Sequence, residues 1–175
     1  MDMKRTIKAA SDAVADVFSA KPGKVGDMDI LDKLHMEHDE VQELLEMIVE
    51  SRKTAERKSL LGKIRKALIP HTKAEQSVVY DAIIAVKNEK NKIDGAEGYV
   101  EHELADRTLA KLSKIRNVTS PEFTATAKVL KELIEHHVKE EERNIWADVR
   151  EKFDAQARIA MNRRFEAAKK KVKVA

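Results

Sequence analysis

The chain has 175 residues, 37% of them charged and 4% aromatic, no cysteine and a net charge of +3, which suits one soluble core formed without disulfides. No apolar run approaches the roughly 18 residues of a transmembrane helix, and Asp12 and Asp16 interrupt the only signal-like stretch, "MDMKRTIKAASDAVADVFSA", so a cytoplasmic protein is expected. Residues 155–175 hold seven Lys or Arg against one Glu, so the basicity belongs to a tail, read here as a solubilising end rather than a contact for nucleic acid or membrane.

Five Gly, three Pro and no strand-like alternation predict helices joined by short turns. A short amphipathic helix is expected within residues 1–26. After a cap at Asp27 or Asp29, Leu31, Leu34, His38, Val41, Leu45 and Ile48 repeat at spacings of three and four, the stripe of a bundle helix. A second stripe runs Leu61, Ile64, Leu68, His71, Glu75, Val78, Ala82 and Ala85, and "NEKNKIDG" then supplies the Asn, Asp and Gly of a connection. A third helix follows from about Ala96, with His102, Ala105, Leu109 and Leu112 in its seam. Ser120 and Pro121 start a fourth, with Ala127, Leu130, Ile134, His137 and Glu141 inward. The expected fold is all-α: an up-down-up-down four-helix bundle over residues 27–153, two helical hairpins in tandem, with a basic amphipathic helix or tail at 154–175.

The two hairpins repeat each other. "HTKAEQSVVY" from His71 and "HVKEEERNIW" from His137 share a His, a Glu four residues later and an aromatic residue nine later, and His38 and His102 are each preceded by Glu. Measured along the helices from the expected turns near residues 53 and 119, His38 and His71 fall at nearly one depth, as do His102 and His137. Six polar residues therefore stand where a core takes Leu and Ile, and burying them without partners costs several kcal/mol. Their convergence predicts a metal site. Four imidazoles and two bridging carboxylates offer four donors to each of two metals, leaving open positions and favouring an oxide, hydroxide or exogenous anion between them. Imidazole and carboxylate suit iron first, with manganese or zinc as alternatives, and thiolate chemistry is excluded.

At these residues the sequence resembles the hemerythrin-like, or HHE cation-binding, family: its pattern H…HxxxE…H…HxxxE is filled by His38, His71, Glu75, His102, His137 and Glu141, and "DILDKLHMEHDEV" looks like the opening helix. The resemblance covers about Asp29 to Phe153. It implies a non-haem di-iron centre with Glu75 and Glu141 bridging and two histidines on each iron, and a protein that binds or reacts with O2, peroxide or nitric oxide in sensing or stress protection. Alternatives are a metal-dependent module that reports iron or oxygen status to a protein partner, and a peroxide-decomposing enzyme. The chain departs from oxygen-carrying hemerythrins, whose third helix bears two histidines four apart, since Gly98 and Asp106 flank His102 at that spacing.

His35 and Tyr99 each stand three residues before a proposed ligand, placed to fill an open metal position or to support a ligand from behind. His136 points about 100° from His137 and reads as a surface residue, and Glu140 and Glu142 as a solvated face. Tyr80 and Trp146 lie about half a helical rotation from the seam, which predicts packing against the flanking helices and no contact with a metal.

Overall fold

The computed structural model describes residues 28–86 and 88–174, and the expected N-terminal helix lies outside them. The described residues form helices α1 (Ile30–Glu50), α2 (Thr54–Glu75), α3 (Asp81–Ala85), α4 (Glu89–Lys114), α5 (Pro121–Arg143), α6 (Ile145–Lys152) and α7 (Ala155–Lys169), with no strand among them. A π-helical turn, Gln76–Tyr80, joins α2 to α3 without interrupting the rod. None of these helices is long and apolar enough to cross a membrane.

The starts follow local chemistry. The Asp29 carboxylate accepts from the Leu31 amide and the Ser120 hydroxyl from the Phe123 amide, satisfying donors that a helix start leaves free. Helix α1 packs on α2 and α5, and α4 on α5 and, more lightly, on α2. Their stripes bury Val41, Leu45, Ile48, Leu60, Ile64, Leu109, Phe123 and Leu130 in one apolar cluster. Beyond it, the buried Arg57 donates to Ser51 O (2.6 Å) and Val118 O (2.7 Å), tying together the two inter-helix turns. A second cluster joins Leu34, Val79, Tyr80 and Trp146 to Met161 and Phe165 of α7, which lies on α1, α2 and the π turn.

One expectation is corrected. "NEKNKIDG" is not a connection: helix α4 begins at Glu89, capped by Asn88 through the Lys90 amide, and Lys90 pairs with Asp94 one turn on. The glycine that looked like a break is a contact surface. A Cβ on Gly95 would lie 2.6 Å from Ile84 Cγ1, and one on Gly98 would lie 2.7 Å from two carbons of the Tyr80 ring. Alanine at 98 therefore has to displace a fully buried ring. Overpacking of this kind costs about 1–3 kcal/mol, and the better helix propensity of alanine recovers up to about 1 kcal/mol. Gly98→Ala is expected to lower the melting temperature by a few degrees, whereas Gly62→Ala, where nothing stands within 4 Å of the new methyl, should raise it. Paired thermal melts check the contrast, and a Gly98→Ala chain as stable as Gly62→Ala would contradict it.

Candidate metal centre

The six predicted residues come together. His38 (α1), His71 and Glu75 (α2), His102 (α4), and His137 and Glu141 (α5) are all at most 4% exposed, with the α2 and α5 pairs in the last turns of their helices. Ligand atoms of His38, Glu75, His137 and Glu141 lie within 4.8 Å of one another. Glu75 Oε2 is 3.2 Å from His71 Nε2 and 3.5 Å from His102 Nε2. Glu141 Oε2 is 3.4 Å from His38 Nε2 and 3.5 Å from His137 Nε2. Each carboxylate thus stands between an imidazole of the first hairpin and one of the second.

The outer ring nitrogens are held from behind. His71 Nδ1 donates to Glu37 (3.1 Å), His137 Nδ1 to Glu101 (2.7 Å) and His38 Nδ1 to Glu142 (3.3 Å), which fixes the ring orientations and points each Nε2 inward. Glu37 is itself tied to Lys33 and to Lys169 of α7. These three glutamates were not singled out as site residues, and Glu142 was read as a solvated face. Yet a signal was present, since Glu37 and Glu101 are the glutamates that precede a histidine in both repeats. Only His102 Nδ1 among the four is buried without a partner: the residue after Glu75 is Gln76, where the second repeat has Glu142.

The fit to a cation rests on what the inner atoms lack. Both oxygens of Glu75, both of Glu141 and His38 Nε2 are buried with no hydrogen-bond partner, because the 3.2–3.5 Å approaches are not angled as hydrogen bonds. Orphaned buried carboxylates are rare in a folded protein, and a cation among them satisfies all of these atoms at once. Electrostatics agree. Burial, reinforced by the charge of Glu75, pushes Glu141 well above the carboxylate range, while Glu75, despite its burial, is held down by His71 and its neighbours. Burial would lower His71, but Glu75 and Glu37 outweigh it and hold the imidazole up at about 9. Burial lowers His38 and His102, the latter also because His137 is close.

The remaining candidates fall around this cluster. His35 is largely exposed, donates to Glu142 at 3.1 Å and so reaches His38 only through that carboxylate. Tyr99 turns its hydroxyl to Asp81 (2.7 Å) and lays its ring against Tyr80 at 5.8 Å. His136 is exposed, 3.5 Å from Glu101.

Tyr80 and Trp146 pack toward the C-terminal helix as expected, but they also reach the imidazoles, which was not expected. The Tyr80 hydroxyl is 3.3 Å from His102 Nε2 and 3.4 Å from His137 Nε2, inside the cluster, and Trp146 stacks on His38 with centroids 5.9 Å apart at 17°. Both were assigned by a regular helical rotation that neither segment follows. In the π turn i+5 takes the place of i+4, so Tyr80 stands about 40° from Glu75 instead of about 140°. In the second repeat the helix breaks at Asn144 (φ −101°, ψ −64°) between Glu141 and Trp146.

Helices without strands among the described residues, around a buried and repeated His and Glu cluster, define a cation-binding helical protein. The sequence matches the hemerythrin HHE cation binding domain over residues 29–147, and the chain belongs to that family. It is also 28% identical over 169 residues, 91% of this chain, to a protein of Nostoc sp. (strain PCC 7120 / SAG 25.82 / UTEX 2576) named DNA nickase, of which it spans 47%, about half. No solved structure gives a significant match.

Removing a carboxylate that orients a metal-bound histidine typically costs 10- to 100-fold in affinity. Glu37→Gln and Glu101→Gln are each expected to weaken metal binding by about that factor, read by competition with a chelator, while Glu103→Gln on the exposed face of α4 should leave it unchanged. Equal affinity in all three variants would contradict the orienting role.

Proposed function

We propose that the chain is a non-haem di-iron protein whose centre binds or reacts with O2, peroxide or nitric oxide in sensing or stress protection. The observation that carries the reading is the set of orphaned inner atoms, four carboxylate oxygens and an imidazole nitrogen, at the focus of four buried histidines. His38 and His71 would hold one ion and His102 and His137 the other, with Glu75 and Glu141 spanning both, inside an up-down-up-down bundle of α1, α2, α4 and α5. Iron bound there would supply one-electron redox change and open coordination positions for a small ligand.

The protein's own residues supply the rest. Glu37, Glu101 and Glu142 aim three imidazoles and strengthen them as donors. A small crevice lined by Asp94, Glu97, Glu101 and Glu140 borders Gly98 and Glu141, and its charge favours a cation over an anion. Trp146 and Phe165, packed against His38 and His71, keep that side apolar. Metal analysis of the purified chain, with optical spectra before and after peroxide or nitric oxide, tests the reading. Fewer than two ions per chain, or spectra blind to both reagents, would sink it. Oxygen evolution from peroxide faster than that of free iron would assign the enzymatic version.

A second reading follows from the relative. Because the similarity to the protein named DNA nickase runs beyond the family-matched span, the same centre could serve metal-assisted cleavage of a phosphodiester, a reaction that two-metal sites support. Conversion of supercoiled plasmid to the open circle by the metal-loaded chain, and not by a Glu75→Gln, Glu141→Gln variant, would favour it. Plasmid left supercoiled would remove it.

A further inference from the structure

The hydroxyl of Tyr80 is the one inward group that neither repeat nor family pattern accounts for. It forms a compact triangle with two imidazole nitrogens: His102 Nε2 to His137 Nε2 is 3.0 Å, and the hydroxyl is 3.3 and 3.4 Å from them. A buried phenol that serves only as a hydrogen-bond donor settles on one acceptor at about 2.8 Å. Tyr80 instead stands almost equally far from both nitrogens. Donors bound at about 2.0–2.1 Å to one first-row ion lie about 2.9–3.4 Å from each other, depending on the angle between them. The three edges of the triangle fall in that range.

The surroundings are shaped for this placement. The π turn rotates Tyr80 onto the face of His71 and Glu75. Gly98, whose Cβ would strike the ring, leaves room for it, and the Tyr99 ring backs it, with its own hydroxyl fixed by Asp81. In the other repeat the corresponding residue is Trp146, whose indole offers no lone pair to a metal and lies flat on His38.

We propose that Tyr80 is a direct oxygen ligand of the metal held by His102 and His137, so that the two metal positions are chemically unlike. Its position gains a phenolate donor and is the less open one, whereas the His38 and His71 position, capped by an indole, keeps more room for a small ligand. Coordination exchanges the phenol proton for the metal and releases that proton to solvent, with no change in oxidation state. The inference rests on the metal-binding reading above.

The chain contains two tyrosines, so the assignment can be made with single substitutions. The full chain is loaded with ferric iron, iron per chain is measured by plasma emission, and visible absorption and resonance Raman spectra are recorded for the wild type, Tyr80→Phe and Tyr99→Phe. The expected result is a visible tyrosinate-to-ferric charge-transfer band with tyrosine ring modes in resonance in the wild type and Tyr99→Phe, both lost in Tyr80→Phe although it retains iron. Should Tyr80→Phe not fold, Tyr99→Phe alone decides: the band kept supports Tyr80, the band lost overturns it. Iron bound without the band overturns the inference and leaves the metal reading intact. No iron bound by the wild type overturns both.

Discussion

Replacing Glu75 and Glu141 together by glutamine is expected to abolish the response to metal without unfolding the metal-free protein. Both carboxylates are buried without a hydrogen-bond partner; burial and Glu75 push Glu141 up, which costs stability in the metal-free chain, whereas His71 holds Glu75 down, which offsets that cost. Glutamine keeps their shape, removes the charge and can donate to a facing imidazole. These effects oppose each other, so the metal-free variant should fold and melt within a few degrees of the wild type. A ligand that binds only the folded state at about a thousand times its dissociation constant stabilises by about 4 kcal/mol. For a chain of this size that is a rise of roughly 8–16 °C. The wild type should show a shift of that order on loading with iron, and the double variant almost none, with bound metal reduced at least in proportion. Melts with and without metal, accompanied by metal analysis, check both halves. A double variant that still gained stability from metal would show that the cation binds elsewhere. One that failed to fold without metal would show that the carboxylates are structural.

The six central residues were legible in the sequence because they break a rule: His and Glu recur in a stripe that otherwise takes Leu and Ile, and they do so twice with matched depth. Helix starts were legible where a capping side chain marks them, as at Asp29 and Ser120. The aromatic end of each repeat was not. Rotation by 100° per residue placed Tyr80 and Trp146 outside, and nothing in "EQSVVY" announces that its backbone closes i to i+5 bonds. Glycine misled for a related reason. Gly95 reads the same in a turn and in a helix pressed against Ile84, and only the partner's position distinguishes them. Helix α7 shows a further limit. The seven cations of residues 155–175 suggested a solubilising end, but Lys169 reaches Glu37 and Phe165 packs edge-on against His71, so residues about 90 to 130 apart in sequence share one support of the centre.

The metal-free and metal-loaded proteins are expected to respond oppositely to pH, and His71 is the reason. Burial alone would lower its pKa, yet Glu75 and Glu37 raise it from 6.5 to about 9. A group whose folded value is raised contributes stability that is complete below the unfolded value and disappears as pH rises through the folded one. The metal-free chain should accordingly lose stability between about pH 6.5 and 9, and a difference of that size is worth on the order of 3 kcal/mol. Metal binding runs the other way. Nε2 of His71 must give up its proton, and Glu141, which burial pushes up, must ionise, so affinity rises by up to about tenfold per pH unit for each proton displaced. The melting temperature of the metal-free chain should fall across this window while the gain on adding metal grows. Glu37→Gln removes one of the two anions that hold His71 up, and should flatten the metal-free slope. Glu37 itself, held down at about 2 despite burial by its bonds from His71 and Lys169, contributes stability present above about pH 4.5 and lost as pH falls toward 2. Melts at half-unit steps from about pH 6 to 9.5, with and without metal, decide the matter: parallel curves for the two forms would mean that no proton leaves when the cation enters, and that His71 is not among its ligands.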